Sequence, residues 1–399
     1  MEETRDNIPR LHQILPHMRE QLIGLAEGAT FEQVRQRYSA TVEKLELQGV
    51  GRRTASRVGD KDAYWAPTAA VLAEAMRLGF VERQQVPSAR RYIEAHRDRK
   101  YTLTSLGREV ADLAQNDIAV FCDRLAAALY VAHPYFRALI GKLLDAPIAC
   151  PEVSESDVGR VRREGQGTQY WIDYVTDKLR PQAKPGLYVD AGAIKETLVS
   201  IVRGRFGAGP EAKPTLKALT QAINDAFAVA AFASHGLPMG ATDIDILKSW
   251  GSQLRVLDQS RYVPGFEGFN LIWMAADIQE GGRVSIRRRD LQRYEIEIAK
   301  GIIEAYQEQA NAADTSLSTP YLPIFKVRAE VAYRCRVTRA LVDLVIQRLS
   351  NDDIGEIPFR VLLHLGTTRQ PVSEPLYRRG GNRRYEMTIQ PKATKGATT

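Results

Sequence analysis

The order of elements within the first 116 residues constrains this chain most, and it is set by glycine, proline and helix-cap positions. Pro9 to Gly28 carries apolar residues at helical spacing and stops at a glycine. Thr30 is placed to cap a second helix, FEQVRQRYSATVEKLEL. Pro67 and Thr68 open a third, TAAVLAEAMRLG, which Gly79 ends. A short alternating run, FVERQ, follows, and KYTLT is its return partner. The loop between them, Pro87 to Arg99, is polar and basic. Ser105 then stands as the cap of LGREVADLAQ. The expected order is helix, helix, helix, strand, charged loop, strand, helix.

That order is the winged helix-turn-helix plan, and it recurs along the chain in looser form. Asp117 to Asp145 reads as helical with a break at His133-Pro134. APIAC is a candidate strand, Ser154 caps ESDVGRVRRE in a capping box, and GQGT precedes the helix QYWIDYVTDKL. A Pro/Gly-rich break spans Pro181 to Gly186. The helices AIKETLVSIVRGRF, TLKALTQAINDAFAVAAFASHG and DIDILKSWGSQL follow, before a strand-turn-strand pattern around VPGFEGF. Ser285 is expected to begin a long helix through Gln309. The last stretch offers two helices, IFKVRAEVAYRC and TRALVDLVIQRL, with a tight turn at Arg336-Val337 and Thr338 as the second cap. PFRVLLHLG and RRYEMTI are its strands, joined through RRGGN. The expected fold class is mainly α with small β-wings: three or four tandem winged-helix modules joined by longer helices. Their bounds are 1–116, 117–186, 187–284 and 320–390, with a connecting helix over 285–312 and a disordered tail over 391–399.

Composition limits the function classes. A chain of 399 residues calls for several domains, and 44% hydrophobic with 26% charged residues is that of a globular protein. The net charge of +7 permits an anionic partner. Cys122, Cys150 and Cys335 are widely spaced and odd in number, which fits free thiols in a reducing compartment. The charged opening MEETRDNIPR does not fit a signal peptide, and no apolar run approaches the roughly 20 residues of a membrane span. A cytoplasmic protein is expected, nucleoid-associated if bacterial. The six histidines are scattered, without metal-ligand spacing. There is no Walker A loop, and the glycines of GRFGAG are not set between a strand and a helix. Asp190, Glu211 and Lys213 imitate a nuclease motif, but the last two fall in a Pro/Gly connector. No cofactor, metal or catalytic activity is expected.

The candidate contacts are therefore to nucleic acid. Duplex DNA rewards basic groups on phosphates and polar side chains at the start of a helix in the major groove. Arg378, Arg379, Arg383 and Arg384 flank a Gly-Gly-Asn tip suited to close approach, to phosphates or into the minor groove. Arg90, Arg91, Arg97, Arg99 and Lys100 crowd the equivalent loop of the first module. Candidate base readers are Gln166, Thr168 and Gln169, then Gln259, Ser260 and Arg261 in a wing, then Thr338 and Arg339. The helix TAAVLAEAMRLG is too apolar to read bases well. Trp65, Trp171, Trp250 and Trp273 sit in apolar patterns and are expected in cores.

The segment LAEAMRLGFVER…RKYTLTSLGRE resembles many winged-helix DNA-binding proteins, in which a hydrophobic helix leads to GF-V-x-R and the wing ends in Y-x-L-T-x-x-G. The overall plan also resembles the DNA-recognition region of FokI-like type IIS restriction enzymes, without a counterpart of their nuclease domain. The resemblance implies a non-catalytic double-stranded DNA-binding subunit for recognition or sensing in a restriction or anti-phage defence complex. Any enzymatic activity would then belong to a protein partner, and a homodimer is compatible with it. Two alternatives stay open: a transcriptional regulator, and a winged-helix interaction scaffold in a chromosome-organising complex.

Overall fold

A computed structural model describes residues 8–9, 11–47, 64–84, 99–163, 191–206, 215–281, 284–313, 320–365, 376–377 and 383–392. Among them the protein is mainly helical, 61% helix, with small antiparallel sheets of two or three strands. The helices are α1 (Ile14–Gly24), α2 (Phe31–Leu47), α3 (Trp65–Arg77), α4 (Ser105–Asn116), α5 (Ile118–Ala132), α6 (Pro134–Asp145) and α7 (Glu155–Arg163). They continue with α8 (Ala191–Phe206), α9 (Leu216–Ser234), α10 (Ala241–Gln253), α11 (Leu291–Ala312), α12 (Ile324–Arg334) and α13 (Arg339–Asn351). The strands in three-stranded sheets are β1 (Ala29–Thr30), β2 (Val81–Arg83), β3 (Lys100–Leu103), β4 (Ile148–Pro151), β5 (Leu257–Ser260) and β6 (Phe269–Met274). Two-residue to four-residue pairs follow, β7 (Ala276–Gln279) with β8 (Ser285–Arg288), and β11 (Leu376–Tyr377) with β12 (Arg383–Arg384). β9 (Leu322–Pro323), β10 (Phe359–His364) and β13 (Glu386–Pro391) form the last sheet.

Each three-stranded sheet has the same order, with the last strand in sequence at its centre: β1-β3-β2, β4-β6-β5 and β10-β13-β9. Val81 pairs with Leu103 and Ala29 with Tyr101 in the first. Ile148 and Gln259 both pair with Ile272 in the second, and Val361 with Ile389 in the third. β4 was expected within 117–186 and β6 within 187–284, so these two stretches share one sheet.

The chain divides into two compact units. The first comprises Met1–Ile140, Thr242–Val256 and Ile278–Arg287. Ile14, Met18 and Leu22 recur every four residues on α1 and are fully buried with Val34 of α2, Val71 of α3 and Leu125 of α5. Thr30 and Gln33 form a reciprocal capping box, Gln33 N donating to Thr30 Oγ1 (3.3 Å) and Thr30 N to Gln33 Oε1 (2.8 Å). The first helix is shorter than expected: it runs Ile14–Gly24, and a turn ending at Gly28 (φ +80) leads into β1. Gly79 (φ +73) ends α3 with paired bonds, Phe80 N to Ala75 O and Gly79 N to Met76 O, as the sequence predicts. The next cap falls one residue earlier than expected: Thr104, not Ser105, accepts from Gly107 N (2.9 Å). Thr104 is in the extended region that an N-cap needs, which leaves Ser105 as the first helical residue.

The second unit comprises Gly141–Ala241, Leu257–Asp277 and Arg288–Thr399. One core joins Leu271 and Trp273 of β6 to Ile298 and Ile302 of α11, Val331 of α12, Val342 and Val345 of α13 and Met387 of β13. A smaller one packs Val158, Leu198, Ile223 and Phe227 from α7, α8 and α9. The turn between α12 and α13 puts Arg336 at φ +53, a conformation that costs a side chain energy. It is tied down on both sides. Arg289 Nη1 donates to Cys335 O (2.9 Å) and Arg336 O (3.1 Å), and Trp273 Nε1 donates to Val337 O (2.9 Å).

A further helix boundary differs from the expectation. Ser285–Arg288 is a strand, and α11 starts at Leu291 with Asp290 accepting from Arg293 N (3.1 Å). The expected start would have placed a run of arginines at the positive end of the helix dipole. Asp290 is a better cap, and Ile286, buried between exposed neighbours, follows a strand alternation. Trp250 and Trp273 are fully buried and Trp65 is half-buried against Phe31, while Trp171 lies outside the described residues.

Candidate nucleic-acid interface

In the first unit, the loop between β2 and β3 leaves the sheet from Arg83 and returns at Arg99 and Lys100. Arg83 and Lys100 are exposed, and Arg99 is half-buried with its carbonyl accepting from Phe31 N (3.0 Å). Lys100 pairs with Thr30 across the ladder. Arg83 and Arg99 both lie near the Tyr101 hydroxyl. Burial raises its pKa, and the two cations work against that rise. Three cations thus stand at the base of this loop. Arg90, Arg91 and Arg97 lie outside the described residues.

The second unit offers a similar edge. Beyond β10 and β13, the pair β11–β12 sets Tyr377 opposite Arg383 and Leu376 opposite Arg384. Arg383 is exposed, and Arg384 is half-buried with Nη1 donating to the Arg383 carbonyl (3.2 Å). Arg378 and Arg379 lie outside the described residues, as do Gln166, Thr168 and Gln169.

The candidate base readers that are described have other uses. Thr338 is the N-cap of α13 and accepts from Leu341 N (3.3 Å). Arg339 is held by Asp258 of β5: its backbone N donates to Oδ2 (2.5 Å) and its Nε to Oδ1 (3.3 Å). A carboxylate therefore already occupies the helix N-terminus, where the macrodipole favours negative charge. Gln259 and Ser260, expected in a wing, belong to strand β5, and the Gln259 amide accepts weakly from Asn270 (3.5 Å). Arg261 begins the turn that follows, reaching Glu152 (3.5 Å) and donating to Tyr262 Oη (2.8 Å).

The helices themselves present little charge. Ala66, Ala69, Ala73 and Arg77 are the exposed positions of α3. On α13 the exposed Ala340 and Leu344 are flanked by Asp343, which accepts from Arg328 (3.1 Å). Such faces offer few of the donors that read base edges. Asp258 could not be singled out as a partner of Arg339 from sequence, because 81 residues separate them.

Other chemistry is muted. Burial pushes the Cys335 thiol up to about 11, away from thiolate reactivity. Among the described residues no cluster of His, Cys, Asp or Glu stands ready for a metal ion, and no helix is long and apolar enough to cross a membrane. In comparisons with known proteins, no family model matched the chain, nor did any curated protein or solved structure.

Proposed function

We propose that this chain is a double-stranded DNA-binding protein of tandem winged-helix modules, a non-catalytic recognition or sensing subunit that grips the duplex mainly through its wings. One observation carries the reading. Among the described residues, and setting aside the separate β11–β12 pair, 14–103 and 291–391 both run helix, strand, helix, helix, strand, strand, with the last strand central in the three-stranded sheet. In both, the connection between the last two sheet strands is the arginine-rich stretch. Topology and charge thus coincide twice. The middle sheet shares the strand order with a longer helical insertion between its first two strands. A restriction or anti-phage defence complex remains the favoured setting, with the chemistry supplied by a partner.

Apolar faces on α3 and α13 favour backbone and shape recognition over a base code. The same faces favour the second reading, an interaction scaffold, because Ala69, Ala73, Ala340 and Leu344 suit a protein partner better than a groove.

Changing Arg378, Arg379, Arg383 and Arg384 together to Ala separates the two. Wing contact predicts a fall in affinity of roughly 100-fold near physiological salt, and a log–log salt slope shallower by about 3–4. Titration of a labelled duplex over a salt series reads both. Unchanged affinity and slope would remove this wing from the interface. DNA binding that is weak from the outset, beside a tightly co-purifying protein, would establish the scaffold.

A further inference from the structure

At the end of the β10–β13 pair, apolar, aromatic and cationic side chains share one edge. Leu365, directly after β10, is 70% exposed, more than any other large apolar side chain among the described residues. His364 pairs with Glu386, and Tyr385 N donates to His364 O (3.1 Å). Continuing that register puts Leu365 beside Tyr385 and one step from Arg384. Tyr321, 55% exposed, packs edge-on against the His364 ring at 4.6 Å, and His364 Nε2 lies 3.1 Å from Thr388 Oγ1. Successive strand residues face opposite ways, so His364 with Tyr321 lies on one face and Leu365 on the other. The cations Arg383 and Arg384 stand at the same edge, while the neighbouring carboxylate, Glu386, is buried.

A single exposed leucine needs no explanation, but one beside Tyr385, at the edge where Arg383 and Arg384 stand, has a matching partner. The minor groove of duplex DNA is narrow and bordered by phosphates, and it yields to apolar side chains inserted between base steps. We propose that this edge is a DNA-bending wedge: Arg383 and Arg384 hold phosphates beside the groove while Leu365 enters between two base pairs. The inference rests on the DNA-binding reading above, and adds to it that the bound duplex is kinked.

The test uses the full chain and a short mixed-sequence duplex with donor and acceptor dyes at its two ends. Binding is followed by anisotropy and bending by energy transfer in the same titration. Leu365→Ala is an exposed substitution that leaves the core intact. Energy transfer should rise when the unaltered chain binds. In Leu365→Ala that rise should fall by at least about half, with affinity held within roughly threefold. A bound duplex that stays straight would overturn the wedge and leave DNA binding standing. Equal bending by Leu365→Ala would remove Leu365 from that role. A chain that binds no duplex at low salt would overturn the DNA-binding reading and the wedge together.

Discussion

Replacing Gly107 by Ala is expected to destabilise the first unit by about 3–4 kcal/mol. Gly107 lies in the first turn of α4, where the helix presses against the carbonyl of Phe80. A Cβ at this position would sit 1.8 Å from Phe80 O and 2.8 Å from Phe80 C, and backbone cannot swing aside as a flexible side chain can. The obstruction is fixed from several directions. Thr104 N donates to Phe80 O (3.0 Å), Thr104 Oγ1 donates to Gly79 O (2.7 Å), and the same hydroxyl accepts from Gly107 N (2.9 Å). Making room would break the cap and pull β3 from β2. The pattern Y-x-L-T-x-x-G thus has a physical cause: the threonine fastens the helix start to the end of α3, and the glycine admits the close approach. Gly141 in α6 is the control, because nothing lies within 4 Å of its Cβ position. Gly141→Ala should stabilise by up to about 1 kcal/mol through helix propensity alone. Urea unfolding of both variants checks the pair. Equal effects of the two changes would contradict this packing.

The second large effect is on pH. His17 of α1 is 3% exposed and stacks on Tyr38, with ring centroids 4.1 Å apart and planes within 7°. Burial lowers its pKa from 6.5 to about 4. The unfolded chain therefore binds a proton in the window between those values that the folded chain refuses. Stability from this residue is fully present above pH about 6.5 and is lost as pH falls toward 4. Between neutral pH and pH 4.5 the loss from this residue is about 2.5 kcal/mol. His17→Phe keeps an aromatic ring against Tyr38 and removes the titration. Carboxylates contribute to acid sensitivity in both proteins, so the difference between their pH profiles isolates His17. The variant should lose about 2.5 kcal/mol less than the unaltered chain over that interval. Identical profiles would show that His17 takes up its proton as readily in the folded state as in the unfolded one.

What could be read from the sequence divides along physical lines. Local signals were legible: the Thr30, Ser154 and Thr338 caps and the Gly79 stop follow from side chains within a few residues of one another, and the β2–β3 and β5–β6 pairs join strands close in sequence. Ser154 and Asp157 exchange bonds as a capping box does. Non-local pairings were not legible. β4 and β6 lie more than 100 residues apart in sequence, so no local pattern could join them in one sheet. The partner of Arg339 was hidden for the same reason. At Ser285 the arginine run read as a helix start because Ile286 alone carries the strand alternation there. The candidate wings were legible as charge, but the apolar edge beside them was not. Leu365 directly follows β10, and its 70% exposure is set by the tertiary structure rather than by its neighbours in sequence.

On the proposed reading, the two candidate wings matter more to DNA binding than the net charge does. A formal +7 spread over 399 residues is modest, whereas the nine candidate wing contacts, Arg90, Arg91, Arg97, Arg99, Lys100, Arg378, Arg379, Arg383 and Arg384, fall in two stretches of 11 and 7 residues. Phosphate binding depends on such local density, since interactions beyond a Debye length of about 8 Å are screened at physiological ionic strength.

The most direct measurement is binding of the full chain to a random duplex library over a salt series, with sequencing of what remains bound. Wing-led binding predicts a steep fall in affinity with salt, a log–log slope of about −5 or steeper, and survivors that share groove width or flexible steps more than a fixed base code. Absence of binding at low salt, or a slope near zero, would contradict it and leave the chain as a binder of proteins.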